Sequence, residues 1–150
     1  MEKQNFYDLN FDQLKIFLIE RAEVDTKKAK MRTQQLFNAV YKKNIKSFDE
    51  LTTFGIELRN KIKDLISLDK PRIIDIQKSK DGTIKFLLEL KDKRNVETVL
   101  IPDKSQSRYT ICLSVSVGCY LSCEFCATAQ ISKNLVRNLT PGEIISQIIL

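Results

Sequence analysis

All four cysteines of this 150-residue chain fall between Cys112 and Cys126. A secreted disulfide framework spreads its cysteines to staple distant segments, whereas thiols crowded into one short stretch point to a metal site. The chain has no His, which excludes an imidazole base, a Ser-His pair or a His metal ligand within it. The chemistry of any such centre must come from thiolates.

Three of the cysteines, Cys119-Tyr-Leu-Ser-Cys123-Glu-Phe-Cys126, read C-x3-C-x2-C. Three thiolates can hold three irons of a [4Fe–4S] cluster and leave the fourth iron open to a ligand. Structural zinc wants four protein ligands, and the one spare, Cys112, lies upstream on a predicted strand rather than in a paired C-x2-C arrangement. A closed four-Cys electron-transfer cluster and a zinc site stay as the competing readings; an open cluster fits the spacing best.

The chain entering this motif alternates strictly. Tyr109, Ile111, Leu113, Val115 and Val117 are apolar, and Thr110, Cys112, Ser114 and Ser116 are small and mostly polar. Period two predicts one strand ended by Gly118, with its apolar face on helices and Cys112 on a site-facing side, as in a barrel-like α/β enzyme. Beyond the motif, Thr140-Pro141-Gly142-Glu143 is a helix start, with Ile144, Ile145, Ile148 and Ile149 as the expected buried face. The sequence ends inside that helix, so a fragment of a longer protein is expected.

The first seventy residues read as helices. Asn10 with Gln13 and Ser47 with Glu50 are capping-box pairs. Phe11, Leu14, Phe17 and Leu18 recur at helical spacing, a second helix from Asp25 or Thr26 carries Met31, Leu36, Phe37, Val40 and Tyr41, and a third runs from Ile56 through Leu58, Ile62, Leu65 and Ile66 to a stop before Pro71. After Pro71 the pattern becomes extended: Ile73 to Ile76, a turn at Asp81-Gly82, Thr83 to Leu90, a polar turn at Asp92 to Asn95, and Val96 to Ile101. The expected organisation is a helical accessory domain over 1–70, an antiparallel β segment and linker over 71–107, and a further α/β part over 108–150.

Charge is segregated. The net charge is +6, and Lys15 to Lys46, with nine basic and three acidic residues, accounts for all of it. Such a segment predicts phosphate contacts, with Lys27, Lys28, Lys30 and Arg32 as the candidate RNA-binding residues. No apolar run approaches the roughly 18 residues of a spanning helix, and Met1 to Asn5 lacks an apolar signal core. A cytoplasmic protein without a membrane partner is expected.

C-x3-C-x2-C with Phe125 before its third Cys resembles the cluster motif of the radical S-adenosylmethionine (SAM) superfamily. Val-Gly-Cys119 through Cys126-Ala-Thr-Ala-Gln130, Arg137-Asn138-Leu139 with Glu143-Ile144, Arg32-Thr-Gln-Gln35-Leu-Phe37 with Tyr41, Ser47 to Leu51, and Asp81 to Phe86 leading to Val96–Pro102 together resemble the radical SAM RNA adenine C2-methyltransferases, the RlmN and Cfr type. The resemblance implies an α+β N-terminal region, a small helical domain plus a short antiparallel sheet, leading into the first strand, cluster loop and helix of a partial (βα)6 TIM-like barrel. It implies that Cys119, Cys123 and Cys126 hold a [4Fe–4S] cluster, that Phe125 lies beside SAM, and that Cys112 is the thiol resolving a covalent enzyme–RNA intermediate. The implied substrates are adenosines of 23S ribosomal RNA and of tRNA, with an electron donor such as flavodoxin and a monomeric enzyme; the 150 residues alone are expected to be inactive. Ser116 stands where Gln is frequent in the family, and the link Ile131 to Val136 is long and lacks Gly, so altered loop geometry beside the ligands is expected. Adenine carbon 8 methylation, another radical SAM substrate, and a non-catalytic metal-binding RNA module are the alternative functions.

Overall fold

The computed structural model describes residues 3–103, 105, 107–121, 123–126 and 136–149. It is α+β and divides into two compact units, Met1–Asp69 and Lys70–Leu150.

The first unit is helical. Helix α1 (Phe11–Glu20) starts where the sequence places a capping box: Asn10 Oδ1 accepts from the Gln13 N–H and Gln13 Oε1 from the Asn10 N–H, both at 2.9 Å. Helix α2 (Thr26–Phe37) is capped by Asp25, whose carboxylate accepts from the Lys27 N–H, and continues into a wider π-type turn over Asn38–Lys42. Helix α3 (Ile56–Leu65) follows a short turn at Phe48–Glu50 that carries the second capping box, Ser47 with Glu50. The core is built from Phe6, Leu14, Leu18, Leu36, Val40, Phe54 and Ile62, all buried; burying each such side chain is worth about 2 kcal/mol. Phe6, Phe37 and Tyr41 form an aromatic cluster with ring centroids 5.3 to 5.5 Å apart.

Two positions differ from the helical reading. Met31 is half exposed and Ile56 largely exposed, while Ala29 and Thr33 are buried. Along α2 and the turn that continues it, the inward stripe is Ala29, Thr33, Leu36 and Val40, which keeps helical spacing but includes two small residues. Thr33 satisfies its buried hydroxyl by donating to the Ala29 carbonyl at 2.8 Å. The unit closes on itself: β1 (Gln4–Asn5) pairs in parallel with β2 (Ile66–Ser67), and Lys3 Nζ donates to the Lys63 carbonyl at 2.6 Å.

The second unit is an antiparallel meander of β3 (Arg72–Lys78), β4 (Ile84–Glu89), β5 (Asn95–Asp103) and β6 (Arg108–Cys112), in that order. The β3–β4 turn puts Gly82 at φ +97°, the left-handed conformation open to glycine, and the Asp81 carboxylate accepts from the Thr83 N–H at 2.9 Å. Leu88, Leu90 and Val96 form the core with Leu139, and Phe86, Val117 and Ile144 pack on it. A small ladder, β7 (Ser116–Val117) with β8 (Arg137–Asn138), precedes helix α4 (Pro141–Ser146).

The expected single strand over 109–117 is corrected here. It breaks after Cys112, and its first half is the edge of the four-stranded sheet, with Tyr109 and Ile111 exposed rather than packed on helices. Residues 113–115 leave the β5 ladder, and the backbone of Ser114 and the Val115 carbonyl bond to Gln147 and Leu139 instead. The inward face of α4 also differs: Gly142, Ser146 and Gln147 are buried, whereas Ile145 and Ile148 are exposed.

Candidate functional site

The cysteine loop runs from Gly118 to Val136 and is clasped at its base. Ser116 pairs with Asn138 and Val117 with Arg137; the Val136 N–H donates to the Val117 carbonyl and the Leu139 N–H to the Val115 carbonyl, each at 2.9 Å. Gly118, at φ +76°, turns the chain out of β7 into the loop.

Arg137 locks this clasp. Its guanidinium makes a two-pronged contact with Glu143, both bonds 2.7 Å, and donates through Nε to Asp92 at 2.9 Å. Asp92 belongs to the β4–β5 turn, and Glu143 is the third residue of α4, where it also accepts from the Thr140 N–H in the expected capping box. The Arg137 side chain holds the carboxyls of Glu143 and Asp92 below the usual carboxylate range, chiefly by hydrogen bonding, and the two carboxylates push its own pKa up. The motif Arg137-Asn138-Leu139 with Glu143 is thus one structural device joining loop, turn and helix.

The thiols stand as follows. Cys119, Cys123 and Cys126 are half-buried, Cys112 is exposed, and none of the four forms a disulfide. The Cys126 N–H donates to the Cys123 carbonyl at 3.0 Å, and the Leu121 N–H lies 3.4 Å from Cys119 Sγ. Among the described residues no group of three or more Cys, Asp or Glu side chains converges tightly enough to enclose a metal ion. The donor set is nevertheless the one an iron–sulfur cluster takes: thiolates, three to a loop, with a backbone N–H directed at a sulfur. Phe125, next to Cys126, is 91% exposed, and Tyr120 is 76% exposed. The motif residues 127–130 and most of the Gly-free link lie outside the described residues.

Cys112 pairs with Val99 across β5, and Val99 with Lys85 across β4. Directly opposed residues share a face, so Cys112 lies on the sheet face opposite Leu88, Val96 and Thr98. Two other members of its alternating set bond backbone carbonyls: Ser114 Oγ donates to the Glu97 carbonyl at 2.7 Å and Ser116 Oγ to the Gly118 carbonyl at 3.0 Å. Gln147 was not singled out by sequence. Its one signal is a polar residue within a run of isoleucines, and its carboxamide bonds both the N–H and the carbonyl of Ser114.

In the helical unit Lys27, Lys28 and Lys30 are exposed, and among the described residues none gives them an ion pair. They crowd the first turns of α2, which holds no acidic residue there beyond the cap; cations are disfavoured at this positive end of the helix dipole. Arg32 is half-buried, stacked 5.0 Å over the Phe54 ring and donating to the Thr53 carbonyl at 2.8 Å.

Residues 4–68 match the sequence model of the ribosomal RNA large subunit methyltransferase N-terminal domain. The chain is 38% identical over 157 residues to the dual-specificity RNA methyltransferase RlmN of Campylobacter fetus subsp. fetus, covering 97% of this chain and 41% of that protein. Over nearly its whole length it is similar to part of the RlmN proteins. A probable dual-specificity RNA methyltransferase RlmN of Staphylococcus aureus is also 38% identical over 148 residues, covering 99% of this chain and 38% of its own length. The crystal structure of a radical SAM methyltransferase from Sphaerobacter thermophilus superposes with a TM-score of 0.81 at 31% identity, over 97% of this chain and 40% of that one. The chain thus spans about two fifths of the RlmN relatives it matches.

Proposed function

We propose that the protein acts as a radical SAM methyltransferase on carbon 2 of adenosine in 23S ribosomal RNA and in tRNA. One observation carries the reading: three thiols in C-x3-C-x2-C order on a loop closed by the β7–β8 ladder, in a chain aligned along nearly its whole length with RlmN methyltransferases. Cys119, Cys123 and Cys126 hold a [4Fe–4S] cluster, and Phe125 lies beside SAM. With SAM bound at its open iron, such a cluster supplies the electron for radical chemistry at a carbon that is a poor nucleophile. Cys112, exposed on β6, resolves the covalent enzyme–RNA link. Lys27, Lys28 and Lys30 contact phosphates and position the RNA, Arg32 shaping that surface from its seat on Phe54. The helical unit serves RNA, and the strand, loop and helix from 108 onward open the barrel. A flavodoxin-type donor supplies electrons, and the enzyme works as a cytoplasmic monomer.

The test uses the complete protein, reconstituted anaerobically and given SAM, a reductant and an rRNA transcript. About four irons per chain and 2-methyladenosine in the digested RNA are expected. Cys119→Ala, Cys123→Ala and Cys126→Ala each lose the iron, and Cys112→Ala keeps it. Methylation at carbon 8, or zinc in place of iron, would overturn the reading.

A further inference from the structure

Gln147 follows α4 directly and is 4% exposed. A carboxamide offers two donor hydrogens and two acceptor lone pairs, and here all four are used. Oε1 accepts from Thr98 Oγ1 at 2.7 Å and from the Ser114 N–H at 3.1 Å; Nε2 donates to the Ser114 carbonyl at 2.9 Å and to the Glu143 carbonyl at 3.1 Å. Nothing is left over for a ligand, so whatever Gln147 does, it does through these partners, and two of the four bonds go to the backbone of Ser114.

That backbone lies between the two thiols with different assignments. Cys112 is the last residue of β6, and the chain then abandons the β5 ladder. Gln147 takes the place of a strand partner at residue 114, the Leu139 N–H holds residue 115, and β8 holds Ser116 and Val117 before Cys119. The loop end of this span has several fastenings, including Arg137. On the Cys112 side, Cys112 itself is paired with Val99 in the β5 ladder, and beyond it the backbone of Ser114 is fastened by Gln147, with Ser114 Oγ bonded to the Glu97 carbonyl.

We infer that Gln147 is a positioning residue: it fixes the backbone between Cys112 and the cysteine loop, and so sets where the Cys112 thiol stands. This rests on the role proposed above for Cys112. A leucine is of similar size but offers no bond to Ser114, Thr98 or the Glu143 carbonyl. The cluster loop, held independently, keeps its iron.

The experiment compares wild-type and Gln147→Leu forms of the complete protein. Hydrogen exchange of the segment around Ser114 is expected to speed up about tenfold or more in the variant, with that of Leu88 unchanged. Labelling of Cys112 by iodoacetamide, mapped by mass spectrometry, shifts with it, while iron content stays at the wild-type level. In turnover, methylated adenosine formed per 5′-deoxyadenosine released is expected to fall by about tenfold to a hundredfold, the scale of a misplaced group. Unchanged exchange and labelling would overturn the inference, as would loss of iron, by-product and product in one proportion. If the leucine variant does not fold, Gln147→Glu, which retains the two acceptor contacts, gives the same comparison with a smaller shift expected. A wild-type protein that makes no methylated product would overturn the proposed function instead, and exchange and labelling would still decide the part played by Gln147.

Discussion

Removing the Arg137 fork tests how the loop is closed at the level of one side chain. Arg137→Gln leaves Glu143 and Asp92 without their shared cation, and the three side chains are only partly exposed. The cost lies between that of exposed and buried pairs, about 1–2 kcal/mol after discounting for solvent screening, read as a lower urea midpoint. The pH dependence has a definite sign. The folded pKa values of Glu143 and Asp92 are lowered, so their contribution is fully present at neutral pH. It is lost as the pH falls through the usual carboxylate range to the lowered folded values. Wild type should therefore lose more stability than Arg137→Gln over that acid window; equal losses would refute the clasp. At the alkaline end, Tyr7 is pushed up to about 12 by burial and by its neighbour Tyr41. Its phenol stays protonated in the fold, and stability is lost as the pH rises from the ordinary phenol range through that value. Glu143 was legible in the sequence as the partner of Thr140 in a helix start, and Arg137 as part of a family pattern, but the fork between them and Asp92 was not. Asp92 is 45 residues from Arg137, and no local spacing rule reaches that far. Gln147 escaped because a helix pattern reports which face is apolar, not which polar residue on it finds partners.

Elements were read best where one local signal decides them. Asn10, Ser47 and Thr140 all accept from the backbone as capping boxes, because a cap is a contract among four consecutive residues. Thr140→Ala should cost about 1 kcal/mol and lower the thermal midpoint. The first two hairpin turns of the meander give a paired expectation. Gly82 stands at φ +97°, and an added Cβ would come within 3.3 Å of the Pro102 ring, while the equivalent left-handed position of the next turn is held by Lys93 at φ +66°. Gly82→Ala should destabilise by about 1 kcal/mol or more, whereas Lys93→Gly should fall within about 0.5 kcal/mol of wild type or above it. Urea titrations that rank the two the other way would refute this. The strand over 109–117 was misread because alternation records two environments, not one continuous ladder. Ser114 keeps its place in the pattern while its backbone bonds go to a side chain from another element. The inward face of α2 was misjudged for a related reason: the small Ala29 and Thr33 are buried, and a large apolar residue such as Met31 is turned outward.

Over the molecule as a whole, positive charge is concentrated in one stretch rather than in one compact unit. The stretch Lys15 to Lys46, with nine basic and three acidic residues, lies within the first compact unit, which as a whole holds 13 basic and 11 acidic residues. Lys27→Ala, Lys28→Ala and Lys30→Ala combined should weaken rRNA-fragment binding across sequences and flatten the slope of log affinity against log salt by about 2–3. An unchanged slope, measured by filter binding, would mean that these lysines are only solvated. The α+β class was legible because the hydrophobic period changes at Pro71. The edge position of β6 was not, since strand order depends on pairings the sequence does not state. The sealing of the helical unit by Gln4–Asn5 against Ile66–Ser67 bears on how it is made. During synthesis the first residues leave the ribosome long before their partner strand exists, and α1 and α2 must wait, caps formed but core open, until residue 67 is out. The unit should therefore fold in one late step governed by its longest loop closure, and a nascent chain stalled before Ile66 emerges should remain protease-sensitive from end to end.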